Sequence, residues 1–207
     1  MIFIVLNIVI LLFSIIIHEI SHGYAALKFG DPTAKMNGRL TLNPIPHIDI
    51  VGTIVLPVML VLIQSPFLIG WAKPVPVNPM NFKNPKRDMM LTSLFGPLSN
   101  FMLAIIFSVF YRITFFLGGK ESIFTQGFQF GAAINVLLFC FNLIPIPPLD
   151  GSRVLMFFLP DTAASIFARI ERFGFVIIFG LFFLGVLGNI LFPIMNVILY
   201  FLLKSGI

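Results

Sequence analysis

Within the first 27 residues the only charged side chain is Glu19, and it stands in His18-Glu19-Ile20-Ser21-His22. On a helix His18 and His22 leave from one face, four residues apart, so both imidazoles can reach one tetrahedral metal ion. Glu19 lies about 100° further round, near enough to act as general base at such a metal without ligating it. An ionisable group in an apolar helix costs about 2.5–3.5 kcal/mol even on the lenient insertion scale, so it has a partner and a task. The chemistry on offer is metal-assisted hydrolysis, since H-E-x-x-H is a zinc-hydrolase pattern.

Two histidines leave a catalytic metal short of a ligand, because such sites take three protein ligands and keep one position open. The candidates for the third are His47, Asp49, Asp150 and Glu121, of which Asp150 is the sharpest. It follows Asn142-Leu143-Ile144-Pro145-Ile146-Pro147-Pro148-Leu149, where three prolines break a helix at depth. Unwound backbone in a bilayer is tolerated only where it is buried in protein or lines a wet cavity, so the break puts a carboxylate beside a cavity. His47 and Asp49 sit in a separate proline-bearing segment. His47 could orient a ligand from behind, stabilise a transition state, replace Asp150, or pair with its own loop at the membrane interface. Cys140, alone in an apolar run, reads as a core residue and offers no disulfide.

The elements that must hold these side chains are membrane helices. Of 207 residues 58% are hydrophobic and 10% charged, against about a quarter charged in a soluble domain. Apolar runs at residues 2–27, 51–71, 89–117, 128–147 and 173–203 are each long enough to cross a core of about 30 Å. The expected architecture is all-α and polytopic, with five to six spans in one intramembrane domain over residues 1–207. The last run is interrupted by Gly188-Asn189 and Pro193, and reads as one kinked helix or two segments. The first lacks the basic start and small-residue cleavage site of a leader, so it reads as a transmembrane helix. Residues 38–49 alternate and carry two prolines, so they are expected to be extended or turn-like, and residues 73–85 carry prolines too closely spaced for helix; both are expected as short extended, β-like connectors or turns near the site. The net charge of +5 sits between apolar runs as membrane-flanking cations do, which argues against nucleic acid and for a multi-pass protein in the lipid bilayer.

Together these motifs resemble the site-2 proteases, intramembrane zinc metalloproteases with H-E-x-x-H on one transmembrane helix and L-D-G, preceded by N-x-x-P-x-P-P, on a later one. Both patterns stand here without substitution, at His18 to His22 and at Asn142 through Leu149-Asp150-Gly151. Gly96-Pro97-Leu98-Ser99-Asn100 resembles a third family feature, a Gly and an Asn four apart on the intervening helix. Gly38-Arg39-Leu40-Thr41-Leu42-Asn43-Pro44 and Lys73-Pro74-Val75-Pro76-Val77-Asn78-Pro79 resemble the small prokaryotic members without PDZ or CBS domains. The resemblance covers the chain to about residue 153. It assigns His18, His22 and Asp150 to one Zn2+ and Glu19 to general acid/base work. It also implies that Asn142 helps hold the substrate carbonyl or its oxyanion, and that Asn100 contacts substrate backbone. The implied activity is hydrolysis of peptide bonds within or near transmembrane segments of membrane proteins, in a prokaryotic plasma membrane, with regulation supplied by partner proteins.

Two other readings compete. A metal transporter would use the same ligands but has no need of Glu19, and it would favour several acidic or His residues along a path, which this chain lacks. A non-catalytic binder of transmembrane segments would be expected to have lost one of His18, Glu19, His22 and Asp150. For proteolysis a substrate helix must first unwind, so helix-weak Gly, Pro or Asn is expected near the cut. Residues 39–43 and 75–78 are expected to pair with the unwound stretch as an added strand.

Overall fold

Lipid offers a backbone no hydrogen-bond partner, so apolar runs of this length become helices that satisfy their own N–H and C=O groups. The computed structural model, described over residues 2–64 and 70–204, follows that rule. Its helices are α1 (Ile2–Lys28), α2 (Thr33–Met36), α3 (Leu56–Leu62), α4 (Pro85–Gly118), α5 (Ile123–Asn142), α6 (Asp150–Phe158), α7 (Asp161–Ile170), α8 (Gly174–Phe183) and α9 (Val186–Leu203). Among the described residues there is no strand, and four helices, α1, α4, α5 and α9, are long and apolar enough to cross a membrane. The protein is an all-α multi-pass membrane protein.

The structure redraws two of the five apolar runs. Residues 51–71 do not form one helix. A π-helical turn at Ile50–Val55 leads into the seven-residue α3, and residues 65–69 lie outside the described residues. The ends of the run are tied together: Trp71 N–H donates to the Gly52 carbonyl at 3.2 Å, and Thr53 Oγ1 donates to the Trp71 carbonyl at 2.8 Å. Asp49 starts the turn by accepting Gly52 N–H at 2.7 Å. The run 173–203 is two segments, but the break falls at Gly185, whose φ of +73° is left-handed, and not at Gly188-Asn189. Pro193 is accommodated inside α9.

The apolar core joins α4, α5 and α9 through Ala104, Val136, Cys140, Leu187 and Leu191. Cys140 is packing material, as its surroundings in the sequence imply. Helix α1 lies against α4 and α5, with Leu6 over Gly127 of α5. At 34 residues, α4 is about 50 Å long and overshoots a hydrocarbon core of about 30 Å. Its first turn carries Lys86, whose ammonium donates to Leu159 O at 2.7 Å and to Asp161 at 3.0 Å. That ties the α6–α7 corner to the same end of the bundle.

The connectors are ordered by polar bonds and form no ladder. Residues 38–49 bend sharply into a 3-10 turn at Ile45–His47, and His47 Nε2 closes the loop on the Thr41 carbonyl at 2.9 Å. Of the two forms the prolines suggested, extended or turn-like, they take the second. The buried Arg39 donates to the Lys73 carbonyl at 2.6 Å, and Lys73 N–H donates to the His47 carbonyl at 2.9 Å. Further on, residues 74–78 run without helix to an extended Asn78 (φ −109°, ψ 104°). Asp31, just past α1, anchors them. Its buried carboxylate accepts four hydrogen bonds: from Thr33 N–H, Thr33 Oγ1, the Asn81 amide and Asn78 N–H.

Burial works against the charge on Asp31, but the four donors outweigh it and hold its carboxyl below the usual carboxylate range. A carboxyl depressed in the folded state stabilises the fold above its unfolded value of about 3.9, and that contribution is lost as pH falls through the lower folded value. Asp31→Ala is expected to reduce unfolding free energy by about 2 kcal/mol or more at neutral pH. Thermal midpoints of both proteins in detergent micelles, followed from about pH 7 to about pH 3, should converge at the acid end.

Candidate metal centre

Helix α1 carries both histidines on the face that meets α4. His18 Nε2 and His22 Nε2 are 3.0 Å apart, and the Asp150 carboxylate Oδ2 lies 3.2 Å from the first and 3.3 Å from the second. Among the described residues these three form the one group of His, Cys, Asp or Glu whose ligand atoms could hold a metal ion. His18 is sixteen residues into the helix from Ile2, about 24 Å along it and about 15 Å from Lys28, which places the cluster well inside the bilayer.

Each imidazole is fixed from behind. His22 Nδ1 sits 2.8 Å from the Thr92 carbonyl, and His18 Nδ1 sits 2.6 Å from Asn100 Oδ1. A carbonyl oxygen only accepts, so both Nδ1 atoms carry protons, and in the neutral imidazoles both Nε2 atoms present lone pairs. Asp150 Oδ2 is buried with no hydrogen-bond partner. With both imidazoles neutral, three lone pairs converge on one point, an arrangement that a divalent cation satisfies. Two nitrogens and one oxygen are a catalytic zinc donor set.

Close approach of α4 depends on Gly96. A Cβ there would fall on the His22 ring and lie 2.7 Å from His18 Cε1. One residue on, Pro97 lacks an N–H and breaks the helical ladder at this level. Asp150 arrives from the other side. Helix α5 stops at Asn142, the proline-rich stretch turns through Ile146 N–H to Ile144 O (2.8 Å) and Leu149 N–H to Ile146 O (2.9 Å), and Asp150 opens α6. Gly151 lets α6 abut that turn, since a Cβ would meet the Leu143 carbonyl and lie 2.7 Å from the Ile144 carbonyl.

Glu19 is half-buried, and its Oε2 accepts the Val75 N–H at 2.7 Å. The proline-rich connector therefore reaches the α1 residue flanked by the histidines. Asn100 is fully buried, with both amide protons spent on Ser14 O (3.3 Å) and Asn135 Oδ1 (2.9 Å). Its amide is directed at His18 and its neighbours, not at a substrate groove. Asn142 donates to the Leu138 carbonyl at 2.9 Å, one turn back on α5, and no hydrogen bond joins it to the three ligand atoms. His47, Asp49 and Glu121 are not brought to the cluster: the His47 ring is turned to Thr41 and Asp49 to Gly52. Ser14, Thr92 and Asn135 belong to the site although the motifs do not point to them. Uncharged polar residues inside apolar runs were the signal that could have found them.

The sequence profile described as peptidase family M50 matches residues 119–187. YwhC of Bacillus subtilis (strain 168), whose name assigns it provisionally to the zinc metalloproteases, is 39% identical over 195 residues, which cover 91% of this chain and 85% of YwhC. The chain belongs to peptidase family M50. This is the site-2 protease family, and the protein is a zinc metalloprotease. Rip2 of Mycolicibacterium smegmatis, similarly named, is 29% identical over 81% of the chain and 62% of its own length. Zinc metalloprotease MJ0392 of Methanocaldococcus jannaschii is 25% identical over 71% of the chain and 32% of its own. No solved structure matches.

In this site-2 protease Gly96→Ala is expected to displace the His22 ring. Zinc retained after purification, measured by atomic absorption, should fall by about tenfold or more while helical circular dichroism is kept.

Proposed function

We propose that the protein is a zinc-dependent intramembrane endopeptidase that cuts membrane proteins within or near their transmembrane segments. His18, His22 and Asp150 would hold the zinc, and Glu19 is the general acid/base. The observation that carries the reading is the convergence of two imidazole nitrogens and a carboxylate oxygen on a helix long and apolar enough to cross a membrane, beside the carboxylate of Glu19 on that helix. When bound, zinc supplies a Lewis acid that polarises the scissile carbonyl and lowers the pKa of water. Glu19 keeps Oε2 on the Val75 amide, which leaves Oε1 to take the proton of the attacking water and to return it to the leaving amine. Asn100 and the Thr92 carbonyl keep both imidazoles turned to the metal. Asn142, next to the proline-rich turn that carries Asp150, is the candidate for contact with the scissile carbonyl.

The substrate must present an unwound stretch, and the connector suits one. Lys73, Val75 and Asn78 spend their N–H groups within the protein, and Pro74, Pro76 and Pro79 have none. Val77 keeps the N–H that an added strand would use, on the same side as that of Val75. The bent loop at 39–43 is a poorer edge.

Purified wild type and Glu19→Gln incubated with a panel of single-span membrane proteins test the reading. Wild type should cut at least one, and Glu19→Gln should lose about 10²–10⁴-fold in rate while retaining zinc. Equal cleavage by the two proteins, or cleavage unaffected by a zinc chelator, would sink it. Val77→Pro should raise KM for the same substrate with zinc content unchanged; an unaltered KM removes the strand-pairing step alone.

A further inference from the structure

We infer that Ser14 and Asn135 are positioning residues for zinc: together with Asn100 they lock His18 in the one tautomer that leaves its Nε2 free for the metal. The inference rests on the reading above that His18 is a ligand.

Hydrogen counting carries it. Two backbone carbonyls, Gly131 O and Ser14 O, can only accept, so the amide nitrogens that meet them are fixed: Asn135 Nδ2 at 2.9 Å from the first and Asn100 Nδ2 at 3.3 Å from the second. The second proton of Asn135 Nδ2 goes to Ser14 Oγ at 2.7 Å, whose own proton goes to the Ile10 carbonyl at 2.8 Å. The second proton of Asn100 Nδ2 goes to Asn135 Oδ1 at 2.9 Å. Every donor is then used, and the one atom left facing His18 is Asn100 Oδ1, 2.6 Å from Nδ1. It accepts, so Nδ1 holds the proton. Ser14, Asn100 and Asn135 are all 0% exposed, so water cannot take the place of a missing member.

The two ligand histidines differ in why this matters. His22 faces a backbone carbonyl, Thr92 O, which cannot rotate. His18 faces a side-chain amide, which can. Turned over, Asn100 would offer Nδ2–H to His18 Nδ1 and move the imidazole proton to Nε2, where it would bond Asp150 and exclude the metal. Asn135 Oδ1 and Ser14 O, by holding Asn100 Nδ2, prevent that turn. Ser14 Oγ in turn keeps the Asn135 amide in register.

The test uses the full chain in detergent, stripped of metal. Zinc affinity is measured by competition with a chelator, and the His18 tautomer by ¹⁵N spectra of histidine-labelled protein, in which three imidazoles are simple to assign. Asn135→Leu should weaken zinc binding about tenfold or more and shift the His18 signal to the Nε2–H form. A folded Asn135→Leu with wild-type affinity and tautomer overturns the proposal. Should Asn135→Leu not fold, Ser14→Ala decides: a loss of about threefold supports the relay, and no loss overturns it. His18→Ala separates the premise from the inference, because unchanged zinc affinity there would mean that His18 is no ligand at all.

Discussion

His18 Nε2, His22 Nε2 and Asp150 Oδ2 stand 3.0–3.3 Å from one another inside a bundle of apolar helices. With protons on both Nδ1 atoms and both imidazoles neutral, none of the three can donate to another, so their closeness is repulsive unless a cation lies among them. The rest of the protein has to hold them there. The i,i+4 spacing on α1 provides two, the close approach of α4 at Gly96 presses their rings into place, and the abrupt end of α5 at Asn142 lets the chain turn and deliver the third.

That demand explains how polar groups are distributed in so apolar a chain. In lipid an unpaired donor or acceptor costs several kcal/mol, so each polar residue at depth is in a closed chain of partners or is useless. The Ser14, Asn100 and Asn135 cluster is such a chain, with Ile10 O, Ser14 O and Gly131 O as its ends. Among the described residues Asn7 Oδ1, Thr92 Oγ1, Thr125 Oγ1 and Asp150 Oδ2 are buried in the bundle without a partner, and of these Asp150 Oδ2 is the one set against both His18 and His22. Away from the site the exposed apolar side chains, such as Phe116 and Phe201, face the membrane and need no partner.

The chemistry was legible in the sequence because charge is so scarce there. Glu19 between two histidines and Asp150 after three prolines could be singled out, since each is expensive where it stands. Helix identity was equally legible for α1 and α4, whose apolar runs exceed what a span needs, and for α5, which matches it. Two things were not. The fold-back of residues 49–71 depends on bonds between Gly52, Thr53 and Trp71, and hydropathy sees only that the run is apolar. The support of His18 depends on Ser14 and Asn135, uncharged residues whose cost in an apolar run is modest, so pattern alone does not separate them from packing. Asn100, read as a substrate contact, is turned inward by that same network.

The connector at 73–78 links the loops outside the His18, His22 and Asp150 cluster to Glu19 beside it. Its Val75 amide holds Glu19 Oε2, while Arg39, His47 and Asp31 hold its two ends. A hydrogen bond to a carboxylate contributes about 1.5–3 kcal/mol and falls off within a few tenths of an ångström. The ends are therefore fixed by bonds as strong as the one on Glu19. A small shift of this backbone frees Glu19 Oε2 or strains it, so the segment that carries the Val77 N–H is also the segment that sets the Glu19 rotamer. Glu19 is thereby placed by a non-helical connector that lies outside the helix bundle, which explains why a stretch with so many prolines is nevertheless pinned at both ends.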